Sequence, residues 1–166
     1  TRGFWLGTNL ITALIAASVI NIFKDTLEQV IFLAVLMPII ASMGGVAATQ
    51  TLTITVRGLA LGQIVKANYL YLFNRELIVG ISNGFLWAVI LSLIACTWFQ
   101  DWLLAWVICL SMIINLTAGV LSGMGIPILL RSLKLDPAVA GSVIVTTVTD
   151  VIGFFSFLGL ASYFYS

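Results

Sequence analysis

Long apolar runs, rather than alternating ones, organise this chain. The first covers about residues 4–23, FWLGTNLITALIAASVINIF, and the second about 29–53, QVIFLAVLMPIIASMGGVAATQTLT. Three more cover about 77–99, 102–130 and 138–164. Each is as long as the ~20 residues that an α-helix needs to cross a ~30 Å hydrocarbon layer. A helix satisfies its own backbone hydrogen bonds there, which lipid cannot do. The pattern predicts an all-α, polytopic membrane protein with five transmembrane helices, formed as one domain over residues 1–166.

The polar remainder sets the topology. Five crossings put the termini on opposite sides. Arg2, Arg57, Lys66, Arg75, Arg131 and Lys134 then fall on the N-terminal side, and Lys24 alone on the other. Short cytoplasmic loops are enriched in Lys and Arg, so the expected orientation is N-terminus cytoplasmic and C-terminus outside, in the plasma (bacterial inner) membrane. KDTLE, with Asp25 and Glu28, becomes an external linker. GQIVKANYLYLFNRE, 62–76, is too polar to span; Tyr69, Tyr71 and Phe73 interleave with Lys66 and Arg75. It reads as a short interfacial helix or loop, an anchor in the membrane lipid, with lipid regulation as the alternative.

Composition agrees with the spans. Hydrophobic residues make up 61% of the chain and charged residues 8%, against about 25% charged in soluble domains. A net charge of +1 gives no electrostatic footprint for nucleic acid. There is no His, and Cys96 and Cys109 lack metal-ligand spacing, so a zinc or redox centre is not expected. The chain opens TRGFWLGTN, without a signal-peptide pattern, and is expected to be a domain of a longer protein.

One acid stands out. Asp150 is the sole charge between Pro137 and Ser166, about 21 Å of helix beyond Asp136. A charged group at that depth costs ~3 kcal/mol or more. No Lys, Arg or His lies within the core of any span, so either the carboxyl is protonated or a mobile cation balances it. Thr146, Ser142 and Gly153 share its helix face. With the acid on the same stripe they suit a water-filled path, whereas alone they suit close packing. In the second span, Ser42, Gly45, Thr49 and Thr53 form another small, oxygen-bearing stripe, open to the same two readings. Gly119 and Gly123, at GxxxG spacing without an ionisable neighbour, read as helix packing, and Asn83 and Asn115 as interhelical hydrogen bonders.

A lone carboxylate is a poor cation site, and two related by a twofold axis are a better one. Homo-oligomers are most often twofold dimers. Paired Asp150 residues on such an axis match a divalent cation in charge. Mg²⁺ keeps its water and takes one or two carboxylates; no thiolate or imidazole invites a softer metal.

The blocks NLITALIAASVI (9–20), MPIIASMGGVAATQTLTITVRGLALG (37–62) and LDPAVAGSVIVTTVTDVIGFFSFLGLA (135–161) resemble the transmembrane domain of the MgtE family of Mg²⁺ channels and transporters. The resemblance implies a homodimer of five-helix protomers with a central pore lined by the second and fifth spans. It implies Asp150 as the pore aspartate that binds hydrated Mg²⁺. The expected metal site is Asp150 with Thr146; the expected pore lining is Ser42, Gly45, Thr49, Thr53, Val139, Ser142 and Gly153. It also implies preceding cytosolic regulatory domains, including nucleotide-binding CBS modules. Two departures touch the pore helices: Val46 stands where many members have Asn, and Gly141-Ser142-Val143 where some have Ser-Gly-Pro.

The function expected is a passive channel for hydrated Mg²⁺. The alternative is a cation transporter coupled to H⁺ or Na⁺, or one with altered divalent selectivity. An enzyme is not expected: an intramembrane aspartyl protease needs two carboxylates sharing a proton, and this chain has one mid-membrane acid.

Overall fold

The computed structural model describes residues 2–29 and 31–165. Its helices are α1 (Arg2–Ile22), α2 (Lys24–Gln29), α3 (Ile31–Ala60), α4 (Tyr69–Phe99), α5 (Trp102–Ser132) and α6 (Val139–Tyr165), with a 3₁₀ turn at Lys66–Asn68 before α4. No strand occurs among the described residues. Five of these segments are long and apolar enough to cross a membrane, so the second and fifth expected spans are α3 and α6.

The helix ends differ from the expected bounds where local chemistry carries a helix past its apolar run. α3 does not stop near residue 53 but continues to Ala60, with Arg57 in its last turn. Gly62, at φ +72°, then reverses the chain, a conformation glycine adopts without a Cβ penalty. The segment 62–76 is not one interfacial piece. Only 62–68 forms the connection, and Tyr69–Glu76 are the opening turns of α4. Asn68 closes the connection: its Oδ1 accepts from Val65 N at 3.0 Å and its Nδ2 donates to Gln63 O at 3.0 Å. The linker expected outside, KDTLE, is likewise helical, as α2.

At the opposite end, Gln100 in the left-handed region caps α4, its N–H donating to Cys96 O. Asp101 caps α5 immediately afterwards, its Oδ1 accepting from Leu103 N and Leu104 N at 3.0 and 3.3 Å. The Tyr165 hydroxyl donates to Asp101 Oδ2 and fastens the end of α6 to the same point.

α5 is the central helix and packs on α3, α4 and α6. The interior changes character along it. Toward the α2 end the core is bulky and apolar: Leu33, Leu36, Ile40, Leu104, Ile108, Met112, Phe157 and Leu158 are all fully buried. Toward the other end the helices close on small residues. A Cβ on Gly119 would lie 2.7 Å from Gly44 O, and one on Gly123 2.6 Å from Ala48 O. Those two glycines therefore serve the packing expected of them. Gly80 and Gly84 do the same for α4 against Val120 and Ile113, a second glycine pair at four-residue spacing that the sequence pattern alone did not single out. Between lipid-soluble helices such close approach supplies dispersion contact, because burying apolar surface from lipid gains nothing.

Candidate functional site

The two stripes share one construction. On α6, Gly141, Val145, Thr149 and Gly153 are buried; on α3, so are Gly44, Ala48 and Leu52. These residues form a three-helix seam with α5. Ala48, Leu52 and Val145 cluster together, a Cβ on Gly141 would meet Leu52 at 2.9 Å, and Gly44 and Gly153 both face Asn115. Gly44 thus pairs in depth with Gly153, and Leu52 with Gly141, so α3 and α6 run antiparallel.

Six stripe residues each follow a seam residue by one position: Ser142, Thr146 and Asp150 on α6, and Gly45, Thr49 and Thr53 on α3. One residue is about 100° of rotation in a right-handed helix. Seen down a common axis, antiparallel helices take that step in opposite rotational senses. From facing seams, both stripes therefore turn to the same side of the plane through the two helix axes. Ser42, Thr49, Thr53, Ser142 and Val139 are exposed there, and Gly45, Thr146 and Asp150 partly so. A Cβ on Gly45 would meet no atom within 4 Å.

Gly153 departs from the expected lining. It is buried, and a Cβ there would lie 2.9 Å from Asn115 Nδ2. Its place is the α5 seam, about 60° round α6 from Asp150, where its lack of a side chain admits the Asn115 amide. Asn115 is fully buried and donates from Nδ2 to Ile40 O at 2.8 Å. This is the interhelical bond expected of it. Its Oδ1 is buried without a hydrogen-bond partner among the described residues. Asn83, by contrast, is exposed and lines a groove of about 340 Å³ with Gln50 and Trp87, and none of the described hydrogen bonds joins it to another helix.

The stripe is rich in acceptors. Thr49 Oγ1 donates to Gly45 O at 2.8 Å, Thr53 Oγ1 to Thr49 O at 2.9 Å, and Ser142 Oγ to Val139 O at 3.0 Å. Each hydroxyl hydrogen is committed to its own helix, and the oxygen lone pairs are left to accept. Asp150 lies about 16 Å along α6 from Val139, and its carboxylate has neither a hydrogen bond nor an ion pair among the described residues. Water bound to a metal cation turns its hydrogens outward, so a wall of acceptors around a carboxylate suits a hydrated cation. Among the described residues no three His, Cys, Asp or Glu side chains converge. One chain therefore offers a single charged ligand, not a chelating cage.

Val139, Ser142 and Thr146 also share a groove of about 390 Å³ between α6 and α1, closed on its far wall by Arg2, Trp5 and Asn9. Asn9 is a polar lining residue that sequence reasoning did not select. Its signal was Thr12 three residues on, on the same helix face, but nothing in the sequence says which helix α1 leans on.

Residues 37–160 match the family model described as the MgtE divalent cation transporter. The chain belongs to that family. It is 35% identical over 160 residues to the magnesium transporter MgtE of Bacillus subtilis, covering 96% of this chain and 36% of that relative. It is 30% identical over 160 residues to the magnesium transporter MgtE of Enterococcus faecalis, covering 96% and 35%. With the magnesium transporter MgtE of Thermus thermophilus the figure is 29% over 157 residues, covering 95% and 35%. The chain thus spans about a third of the length of these curated relatives. The family and the five apolar helices together make it a multi-pass integral membrane protein.

Proposed function

We propose that this chain forms the conducting part of a magnesium transporter, in which two copies carry hydrated Mg²⁺ between their α3 and α6 helices. The observation that carries the reading is the unpartnered Asp150 carboxylate, half-buried at mid-helix and flanked by acceptor oxygens. Two such carboxylates across a twofold axis balance the charge of one divalent ion and leave its water shell in place. Thr146 and Ser142 accept hydrogen bonds from that shell. On α3, Thr49 and Thr53 do the same from the neighbouring wall, and Gly45 leaves room for the shell to pass. The N-terminal end, with its excess of Lys and Arg, faces the cytoplasm. Inward movement is then downhill, by about 2.3 kcal/mol per charge for each 100 mV of potential.

The relatives named above support the choice of ion, and the open side shared by the two stripes supports a lining made by a second copy. The test is divalent uptake into liposomes by the native chain and by Asp150→Asn and Asp150→Ala. The channel reading expects uptake driven by the Mg²⁺ gradient alone and lost in both variants. Uptake that requires an imposed H⁺ or Na⁺ gradient would establish coupled transport instead, and undiminished uptake by Asp150→Asn removes the site.

A further inference from the structure

At its Arg131 end, the seam between α4 and α5 opens into a groove of about 540 Å³ that the conduction path does not use. Lys66 and Tyr69 form one wall, from the 3₁₀ turn and the first residue of α4. Arg131 and Ser132, at the end of α5, form the other. Ile128 and Leu129 add apolar lining. Gly125 also lines the groove, and a Cβ there would come within ordinary contact distance of Phe73. Among the described residues no carboxylate lines the groove.

Arg131 is held by its side chain and Lys66 through its backbone, and neither is neutralised among the described residues. The side-chain bonds of Asn68 fix the connection on either side of Lys66. Arg131 donates from Nη1 to Leu59 O of α3, and its guanidinium makes no other hydrogen bond among the described residues. Neither cation has a carboxylate partner among the described residues. Ser132 Oγ donates to Leu129 O at 2.7 Å, so its oxygen is left to accept. The surroundings are apolar surface of the kind that faces lipid: Leu70, Leu129 and Leu133 are all more than half exposed.

We propose that this groove binds the headgroup of an anionic phospholipid. Lys66 and Arg131 hold the phosphate diester, Tyr69 donates to it, Ser132 accepts from a headgroup hydroxyl, and an acyl chain lies along Ile128 and Leu129. Basic pockets between spanning helices at the positively charged side of a membrane protein recognise such headgroups. A free phosphate would match the cations but leave the apolar lining unused. Arg131 also holds the last turn of α3 through Leu59, so the bound lipid bears on the end of one stripe-bearing helix.

The test is native mass spectrometry of the purified chain in detergent, supplied with phosphatidylglycerol or phosphatidylcholine. Phosphatidylglycerol should be retained in preference. Lys66→Gln should weaken its retention about fivefold, the equivalent of ~1 kcal/mol per basic side chain at an anionic lipid. Lys134→Gln, an exposed cation outside the groove, should leave it unchanged. Equal retention of the two lipids overturns the proposal. So does an equal effect of Lys134→Gln, since the attraction would then be diffuse. Displacement of phosphatidylglycerol by inorganic phosphate, with phosphate itself retained, would make the site one for a free anion and also overturn it.

Discussion

Gly119 and Gly45 are the same residue in opposite uses. At Gly119 an added Cβ would press on the backbone of α3; at Gly45 it would meet nothing. Both sit in small-residue stripes that look alike along the sequence. The difference is what stands opposite. α5 is enclosed by three neighbours, so its glycines become contact points. On α3 nothing stands against Gly45, and on α6 Val139, Ser142 and Thr146 line a groove shared with α1, so the same small residues leave open, acceptor-bearing surface. A small-residue stripe in a spanning helix therefore has no fixed meaning until its neighbour is known. Asp150 is the one residue whose chemistry leans toward the open reading by itself.

The largest effect that would break this contrast falls on Asp150. Asp150→Asn should reduce divalent uptake by liposomes about tenfold or more, since each copy loses a charge-assisted contact worth ~1.5–3 kcal/mol. Thermal unfolding in detergent should show equal or higher stability, because an intramembrane charge is removed. A variant that both unfolds and fails to conduct would move Asp150 to the packing side of the comparison.

Gly119→Val comes next. Overpacking against Gly44 and Thr149 should destabilise by ~1–3 kcal/mol, read as a lower unfolding temperature. Gly45→Val should stay within about 0.5 kcal/mol while lowering uptake. Equal destabilisation of the two would erase the distinction. Asn115→Ala should then cost ~1–2 kcal/mol, from the lost bond to Ile40 O in a buried site. Asp101→Ala should cost about 1–2 kcal/mol, from the loss of the α5 cap and of the Tyr165 hydrogen bond, with uptake unchanged; hydrogen exchange at Leu103 and Leu104 would show the frayed turn.

The number of spans, their helical character and the singular position of Asp150 were all legible in the sequence, because each depends on local properties. Twenty apolar residues must become a helix in lipid, and one uncompensated acid in such a run is visible wherever it packs. Helix ends were less legible. The turns Thr55–Ala60 and Tyr69–Glu76 carry polar residues beyond the apolar runs, and hydrogen bonding continues past the hydrophobic boundary. Asn115 could be named as a hydrogen bonder, but its partner Ile40 lies seventy-five residues away, a separation that no local pattern encodes.

By itself, the sequence determined that this chain is a bundle of five spanning helices with one unpaired mid-helix carboxylate, since apolar length and charge placement act residue by residue. Only the tertiary structure decided which small residues touch and which stay open. It buried Gly153 against Asn115 and left Thr49 uncovered, although both occupy similar stripes. The physical reason is that a side chain's environment is set by the helix across from it, and the antiparallel docking of α3 and α6 around α5 is what chose those neighbours.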